Sequence, residues 1–314
     1  MRHTAMRHLE CLLLCVLACL TGTAHALDTV ILDAPAGTLD RRNDYTTRLL
    51  TAILEKTRVQ FGPYKLRYAP AYMYRDRLRS ELLQGQNVNV TAKATRPDWE
   101  NSELITIRIP VDKGITEYRL FLINQEDQEK FRHIDRLDEL KQLRLGVGHA
   151  WSSREVLETA GFNVESVVNW ENLYKMLEAR RFDYFPRALS EIFVEYDDRH
   201  ATYPQMAIED SLMLYFPLPK YFFVSPQSPQ LAKRIETGFQ AMIRDGSFDH
   251  LFMAYHKPLI ERARFCSRRI LRIENPLLSP QTPLDHREYW FDPYEDSHKG
   301  STSAWCHHPP GSPS

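Results

Sequence analysis

Short apolar runs alternate with amphipathic segments along most of the chain, and this alternation constrains the fold more than any other feature. Residues 64–68 alternate apolar and charged side chains, as a half-buried strand does. Helical spacing is shown by a group of four apolar residues, Leu49, Leu50, Ile53 and Leu54. The order strand, helix, strand recurs through two successive stretches of the chain. We therefore predict an α/β fold in two lobes with parallel strand pairing.

The first 26 residues have the three parts of a secretory signal peptide. Basic residues, including Arg2 and Arg7, precede an apolar run of ten residues, and Ala24 and Ala26 form an A-x-A cleavage site. The run is shorter than the roughly 20 residues that a membrane-spanning helix needs. A buried N-terminal helix is one alternative. A lipid anchor at Cys19 is another, although the preceding VLA fits a lipobox poorly. We predict export to the periplasm.

The charge balance and the absence of known motifs exclude several classes of function. The chain has 40 Lys and Arg against 41 Asp and Glu, so no general attraction to nucleic acid is expected. It contains no P-loop, no dinucleotide-binding glycine pattern and no histidine spacing typical of a metal site. The sequence therefore predicts no cofactor, no metal site and no catalytic residue.

The end of the chain differs in composition from the rest. Residues 276–314 are rich in proline, serine and histidine, and we predict an extended C-terminal tail with little structure. Signal cleavage leaves only Cys266 and Cys306 of the five cysteines. An exported compartment permits a disulfide between them, but the spacing alone leaves the pairing open.

Two segments resemble family 3 of the periplasmic solute-binding proteins. Residues 137–185 show the family's short helix, strand with a glycine turn, serine-started helix, strand and helix, and Asp183 opens the next strand. Residues 221–255 resemble its return strand and closing helices, including a D-G-x-[FY]-D-x-[IL] element. The resemblance covers about residues 27–272. A divergent subgroup carrying FDYFPR and ENPLL is most similar.

This resemblance implies a type II two-lobe fold in which a hinge closes the lobes around a ligand. Lobe one would be residues 27–116 plus 222–275, and lobe two would be residues 117–221. The crossing strands would lie near residues 117–123 and 214–224. The implied function is capture of a small polar solute for a membrane transporter (as an ABC transporter substrate-binding protein) or sensor, by a monomer that is not an enzyme.

Two departures from the family's pattern affect the expected solute. The family's carboxylate-binding arginine follows the third strand of lobe one, where this chain has Trp99 or Glu100 at about the matching position and Arg96 a few residues early. The family's amine-binding aspartate is replaced near Arg187. The resemblance therefore implies a shift away from ordinary α-amino acids and towards an anionic or otherwise non-amino-acid solute.

The predicted ligand-binding residues lie in the loops expected at the carboxyl ends of the strands. They are Arg41, Tyr45, Tyr72, Lys93, Thr95, Arg96, Trp151, Ser152, Ser153, Arg187 and Glu191. Ser152 and Ser153 could cap a helix, offer its N–H groups to an anion, or do both. Arg187 could clamp a carboxylate or pair with Glu191. Trp151 could stack on a ligand or pack internally, and Lys93 and Arg96 could simply be solvated.

Two alternative functions remain open at this stage. An enzyme on the same scaffold, similar to a dehydratase or lyase, would use Glu100 and Glu191 opposite Lys93 as acid and base. A ligand-sensing module acting on a partner protein is the other alternative. Fold alone does not decide between them.

Overall fold

A computed structural model describes residues 27–35 and 44–294. The predicted signal peptide lies outside this part of the chain. The described strands are β1 Asp28–Leu32, β2 Tyr64–Tyr68, β3 Val90–Ala94, β4 Ile105–Ile107, β5 Tyr118–Asn124, β6 Arg144–Gly148, β7 Asn163–Val167, β8 Tyr184–Ala188, β9 Met206–Ile208, β10 Leu212–Tyr215, β11 Lys220–Val224 and β12 Arg269–Arg272. The described α-helices are α1 Asp44–Lys56, α2 Arg58–Phe61, α3 Arg75–Gln84, α4 Pro97–Glu100, α5 Gln128–Arg132, α6 Leu137–Gln142, α7 Ser152–Thr159, α8 Asn172–Glu178, α9 Leu189–Arg199, α10 Pro229–Arg244 and α11 Ser247–Ala263.

The strands form two sheets. The first sheet has the order β2-β1-β3-β11-β4, in which β1 runs parallel to β2 and β3 while β11 is antiparallel to β3. The second sheet has the order β12-β10-β5-β8-β6-β7, with β9 pairing with β5. In it β6 runs parallel to β7 and β8. The predicted α/β architecture with two separate sheets is confirmed.

Helix α1 follows its apolar periodicity closely. Leu49, Leu50, Ile53 and Leu54 are all fully buried against the first sheet's core. Helix α10 packs on the same face, and Gly238 makes this approach possible. A Cβ added at Gly238 would lie 2.6 Å from the carbonyl oxygen of Ile53, so a larger residue would force the two helices apart.

Two short segments carry the chain from one sheet to the other. The first passage, residues 108–117, joins β4 to β5, and the second passage, residues 216–219, joins β10 to β11. The first passage lies slightly earlier than the sequence predicts. The reason is that β5 is hydrogen-bonded to β8 of the second sheet from Arg119 to Ile123, so these residues form part of that sheet.

A third passage brings the chain back to the second sheet near its end. Strand β12, which falls within the stretch 222–275 that the sequence analysis places with lobe one, pairs in parallel with β10 from Leu212 to Tyr215. Arg268 anchors this return, because its buried guanidinium donates to the carbonyl oxygens of Glu209 at 2.5 Å and Leu212 at 3.1 Å. The second lobe thus contains one strand more than the family resemblance implies.

The predicted extended tail is wrong for the residues up to Tyr294. A short 3-10 helix, Arg287–Tyr289, is followed by buried Phe291, and the Tyr289 and Phe291 side chains are 7% and 5% exposed. The proline- and serine-rich composition suggested disorder, but three consecutive aromatic or large residues at 289–291 supply enough apolar surface to dock on the core. Residues 295–314 lie outside the described part. None of the described helices is both long and apolar enough to cross a membrane.

Candidate functional site

A small pocket, with a cavity volume of about 10 Å³, lies at the carboxyl ends of the parallel strands in the first sheet. The residues that line it are Leu32, Asp33, Thr46, Thr47, Tyr68 and Ala92. Leu32 and Tyr68 end β1 and β2, and the two threonines lie in the first turn of α1. Ligands of open α/β sheets bind outside this edge because the connecting loops converge there. The pocket is therefore the candidate ligand wall of the first lobe.

Asp33 sets the charge of this pocket. Its carboxylate is 6% exposed and accepts a hydrogen bond from Thr91 Oγ1 at 2.6 Å and from Lys93 Nζ at 2.7 Å. The pair balances the charge of Lys93, which the sequence analysis assigned to anion binding. A solute carboxylate would have to compete with Asp33 for this ammonium group.

Hydroxyl groups supply the rest of the pocket's polarity. The Thr46 side chain is 3% exposed, and its Oγ1 is buried without a hydrogen-bond partner among the described residues. Thr47 Oγ1 and the Tyr68 hydroxyl are 3.2 Å apart at the more exposed side. A buried hydroxyl without a partner is costly, so the Thr46 group is available to a polar solute.

Arg187 in β8 is held by carboxylates within the second lobe. Its side chain is almost fully buried, and its Nε donates to Glu195 Oε2 at 2.6 Å while Nη2 bonds the other Glu195 oxygen. Nη2 also lies 3.1 Å from Glu191 Oε2. Burial lowers the pKa of Arg187, but the two glutamates more than offset this and raise it overall. Arg187 therefore pairs with Glu191, which is one of the two alternatives that the sequence offered, and Glu195 is an additional partner.

Trp151 packs inside the second lobe. Its ring stacks on Phe185 at 5.9 Å between centroids and 11° between planes, and the Arg187 guanidinium lies 4.3 Å from the Trp151 ring centroid. A Cβ added at Gly148 would lie 2.5 Å from this ring, so the indole covers the end of β6. Trp151 therefore supports Arg187 from one side.

Ser152 and Ser153 are not the N-cap residues of α7. The N-cap position is Trp151, which makes no side-chain capping bond, and the two serines occupy the first turn of the helix. Ser153 is 7% exposed, whereas Ser152 Oγ is buried without a partner among the described residues. The prediction that these serines cap the helix is wrong by one or two positions, which is the usual error of sequence-based helix boundaries.

The loop after β3 is closed by its own polar contacts. Arg96 Nε lies 3.0 Å from Asp98 Oδ1, and the buried Thr95 hydroxyl donates to Glu100. Glu100 also pairs with Arg108 at 3.1 Å. Lys93 and Glu100 thus have separate partners, Asp33 and Arg108, and Glu191 pairs with Arg187 in the second lobe.

Tyr45 and Tyr72 are the remaining predicted residues that the structure describes. Tyr45 is 4% exposed and packs in the core, with its ring centroid 5.2 Å from that of Tyr255 and 4.6 Å from that of His256. Burial, followed by nearby Asp112 and Asp249, raises its pKa well above the usual value. Tyr72 is 43% exposed and lies edge-on to Tyr74. Arg41 lies outside the described residues.

Sequence reasoning missed Asp33, Thr46 and Tyr68. Each stands at the end of a strand or the start of the helix that follows, so the position alone could have identified them once the strand boundaries were known. The sequence-based prediction selected the cations Lys93, Arg96 and Arg187 instead, because a cation in a loop suggests an anion-binding site. Within residues 27–35 and 44–294, no group of three or more metal-binding side chains is assembled.

Solved structures with the same fold are numerous. An ancestral arginine-binding protein bound to glutamine matches with a TM-score of 0.52 and 15% identity over 74% of this chain and 99% of that one. An ancestral arginine-binding protein bound to arginine matches with a TM-score of 0.51 and 17% identity, over 74% of this chain and 99% of that one. A structure concerning glutathione import, from Streptococcus mutans, has a TM-score of 0.51 and 12% identity over 73% and 95%. No protein-family model and no curated protein matches the sequence. These likenesses confirm the two-lobe binding-protein fold that the resemblance implies.

Proposed function

We propose that this chain is an exported solute-binding protein that captures a small polar solute between its two lobes for a membrane transporter or sensor. The observation that carries the proposal is the pocket formed by Asp33, Thr46 and Tyr68 at the carboxyl ends of the first sheet's strands. The fold adds support, because lobes joined by short passages can close around a ligand by hinge motion.

The charges of the described residues favour a neutral or cationic solute over the anionic one that the sequence suggested. The three predicted cations in the described part all have carboxylate partners: Lys93 with Asp33, Arg96 with Asp98, and Arg187 with Glu195 and Glu191. A solute carboxylate would have to displace one of these partners, and separating a buried ion pair is strongly destabilising. Within the Arg187 cluster, Glu195 and Glu191 already occupy the guanidinium, so it is not free to bind a solute carboxylate.

A thermal-shift series on the mature chain, residues 27–314, tests both parts of the proposal. Glutamine and glutamate have nearly the same shape and differ in charge, and arginine adds a cationic probe. A ligand that binds only the folded state stabilises it by RT ln(1 + [L]/Kd), about 2.7 kcal/mol at 100 times Kd. We expect saturable stabilisation by a neutral or cationic probe from a wider metabolite panel and none by glutamate or other dicarboxylates.

Two variants locate the site in the same assay. Asp33→Asn removes the pocket's carboxylate, whereas Asp138→Asn changes an exposed aspartate on α6 and serves as the matched control. We expect the stabilising solute to lose its effect in the first variant only. Stabilisation by dicarboxylates alone would overturn the charge assignment, and equal binding by both variants would overturn the location.

Recovery of the solute distinguishes binding from the enzyme alternative. After incubation with the mature chain, the stabilising compound should be recovered chemically unchanged and in full. Conversion of the compound, lost on substituting Glu100 or Glu191 and retained in the Asp138→Asn control, would favour catalysis instead.

A further inference from the structure

The segment that follows β12 lies across the first and second passages between the sheets. We call residues 275–294 the strap. Asn275 Nδ2 donates to the carbonyl oxygen of Pro217 in the second passage at 2.8 Å. At the other end, the amide of Phe291 donates to the carbonyl oxygen of Lys113 in the first passage at 2.7 Å. The strap therefore contacts two of the three connections between the sheets.

The first passage is also bound to the strap through the Lys113 side chain. This side chain is 4% exposed, and its Nζ donates to the Glu288 carbonyl oxygen and to Asp249 Oδ1, both at 2.6 Å. Gln240 of α10 donates to the Tyr289 hydroxyl at 2.8 Å. The strap is thus tied to helices α10 and α11 as well as to the passage.

Aromatic packing brings the strap next to a cysteine. The ring of Phe291 lies 5.6 Å from that of Phe265 and 5.8 Å from that of Phe252. Phe265 and Cys266 are neighbours in the short 3-10 turn, Phe265–Ser267, that leads into β12. Cys266 is disulfide-bonded. The end of the strap and the cysteine that precedes β12 therefore lie on the same side of the molecule.

We propose that Cys266 forms its disulfide with Cys306 and that this bond fastens the strap over the two passages. The other cysteines, Cys11, Cys15 and Cys19, precede the predicted cleavage site and leave with the signal peptide. Cys306 lies outside the described residues. The 15 residues that separate it from Phe291 can span up to about 50 Å when extended, which is ample reach to a cysteine beside Phe265.

The chemistry needs an oxidant that accepts two electrons and two protons. The thiolate of one cysteine attacks a mixed disulfide formed by the other with an oxidised dithiol partner protein, which leaves as the dithiol. This inference rests on the export that the proposed function includes, because such oxidants act in exported compartments and the cytosol keeps thiols reduced. The bond closes a loop from residue 266 to residue 306, which reduces the freedom of the strap in the opened state.

Non-reducing peptide mapping of the exported, mature protein tests the pairing. We expect one linked peptide that contains both Cys266 and Cys306, no free thiol in the unfolded wild type, and one free thiol in Cys306→Ser. A free thiol at Cys266 in the wild type, or a bond from Cys266 to any other partner, would overturn the proposal.

Hydrogen exchange tests the fastening. In Cys306→Ser we expect the amides of the strap, including that of Phe291, to exchange at least about tenfold faster, while those of β1 and β3 stay unchanged. Cys266→Ser and the double variant should behave identically, because each removes the same bond. Equal strap exchange in wild type and variants would refute the fastening. Neither outcome depends on solute binding, so failure here is separable from failure of the proposed function.

Discussion

Arg187 of β8 and Glu195 of α9 form a two-point ion pair that is buried inside the second lobe, with Nε and Oε2 2.6 Å apart. Glu191, one helical turn before Glu195, approaches the same guanidinium at 3.1 Å. The residue that most suggested an anionic solute is therefore part of the lobe's internal structure. This finding moves the expected solute towards neutral or cationic compounds.

Replacing Arg187 should affect stability first. Arg187→Ala leaves two carboxylates without their cation beside Trp151 and Phe185, and we expect a loss of about 3–5 kcal/mol in the free energy of unfolding. Urea denaturation measures it. The control, Arg77→Ala, removes an exposed pair 3.8 Å from Glu81 and should cost less than about 0.5 kcal/mol. A loss below about 1 kcal/mol for Arg187→Ala would contradict the structural role.

Replacing Thr46 should separate binding from stability. Thr46→Val exchanges a buried hydroxyl without a described partner for a methyl group of similar size, so stability should stay the same or rise by up to about 1 kcal/mol. A solute that uses this hydroxyl should bind about tenfold more weakly, as calorimetric titration would show. Thr51→Val changes a threonine of the same helix outside the pocket and should leave affinity intact. Unaltered affinity in Thr46→Val would remove this hydroxyl from the site.

His256 should contribute to the pH dependence of stability. Burial, and secondarily Lys220, lowers its pKa from 6.5 to about 3, so the folded state keeps the ring neutral while the unfolded state protonates below pH 6.5. Stability from this group is complete above pH 6.5 and is lost as the pH falls towards 3, by about 1.4 kcal/mol per pH unit.

The variant His256→Leu isolates this contribution. Burial raises the pKa of Glu117 and of Asp112. The contribution of these two carboxyl groups to stability therefore falls as the pH rises, opposite to that of His256. For this reason the pH dependence of His256 is measured as the difference between the variant and the wild type. Denaturation at pH 7 and pH 5 should show a smaller fall for His256→Leu. An identical fall in both proteins would mean that His256 does not titrate as described.

Gly238 should be intolerant of even a methyl group. Alanine normally stabilises a helix interior relative to glycine by up to about 1 kcal/mol. Here the added Cβ meets the Ile53 carbonyl oxygen at 2.6 Å and the Thr57 side chain at 2.9 Å, so we expect Gly238→Ala to lower Tm. Lys233→Ala, on the exposed side of α10, is the control and should leave Tm nearly unchanged. A higher Tm for Gly238→Ala would show that the helices can separate without cost.

The sequence predicted best what local periodicity determines. The buried face of α1 and the two groups of alternating strands and helices follow from spacing that is visible along a few turns of chain, whereas the binding-protein fold was implied by the resemblance of two segments to a known family. The partners of Arg187 were only half predicted, because Glu191 lies one helical turn away whereas Glu195 depends on how α9 packs against β8. Strand β12 and the strap were missed, since their pairing partners lie more than 50 residues earlier in the chain.

Dialysis of the mature chain against a defined mixture of amino acids, polyamines, sugars and dicarboxylates tests the central claim most directly. Mass spectrometry of the solutes released on denaturation would identify what the protein retained. We predict one unchanged, neutral or cationic polar solute at a ratio of about one per chain, retained by Asp138→Asn and lost by Asp33→Asn. Retention of a dicarboxylate, chemical conversion of the solute, or retention of nothing from the mixture by the correctly folded chain would contradict the account.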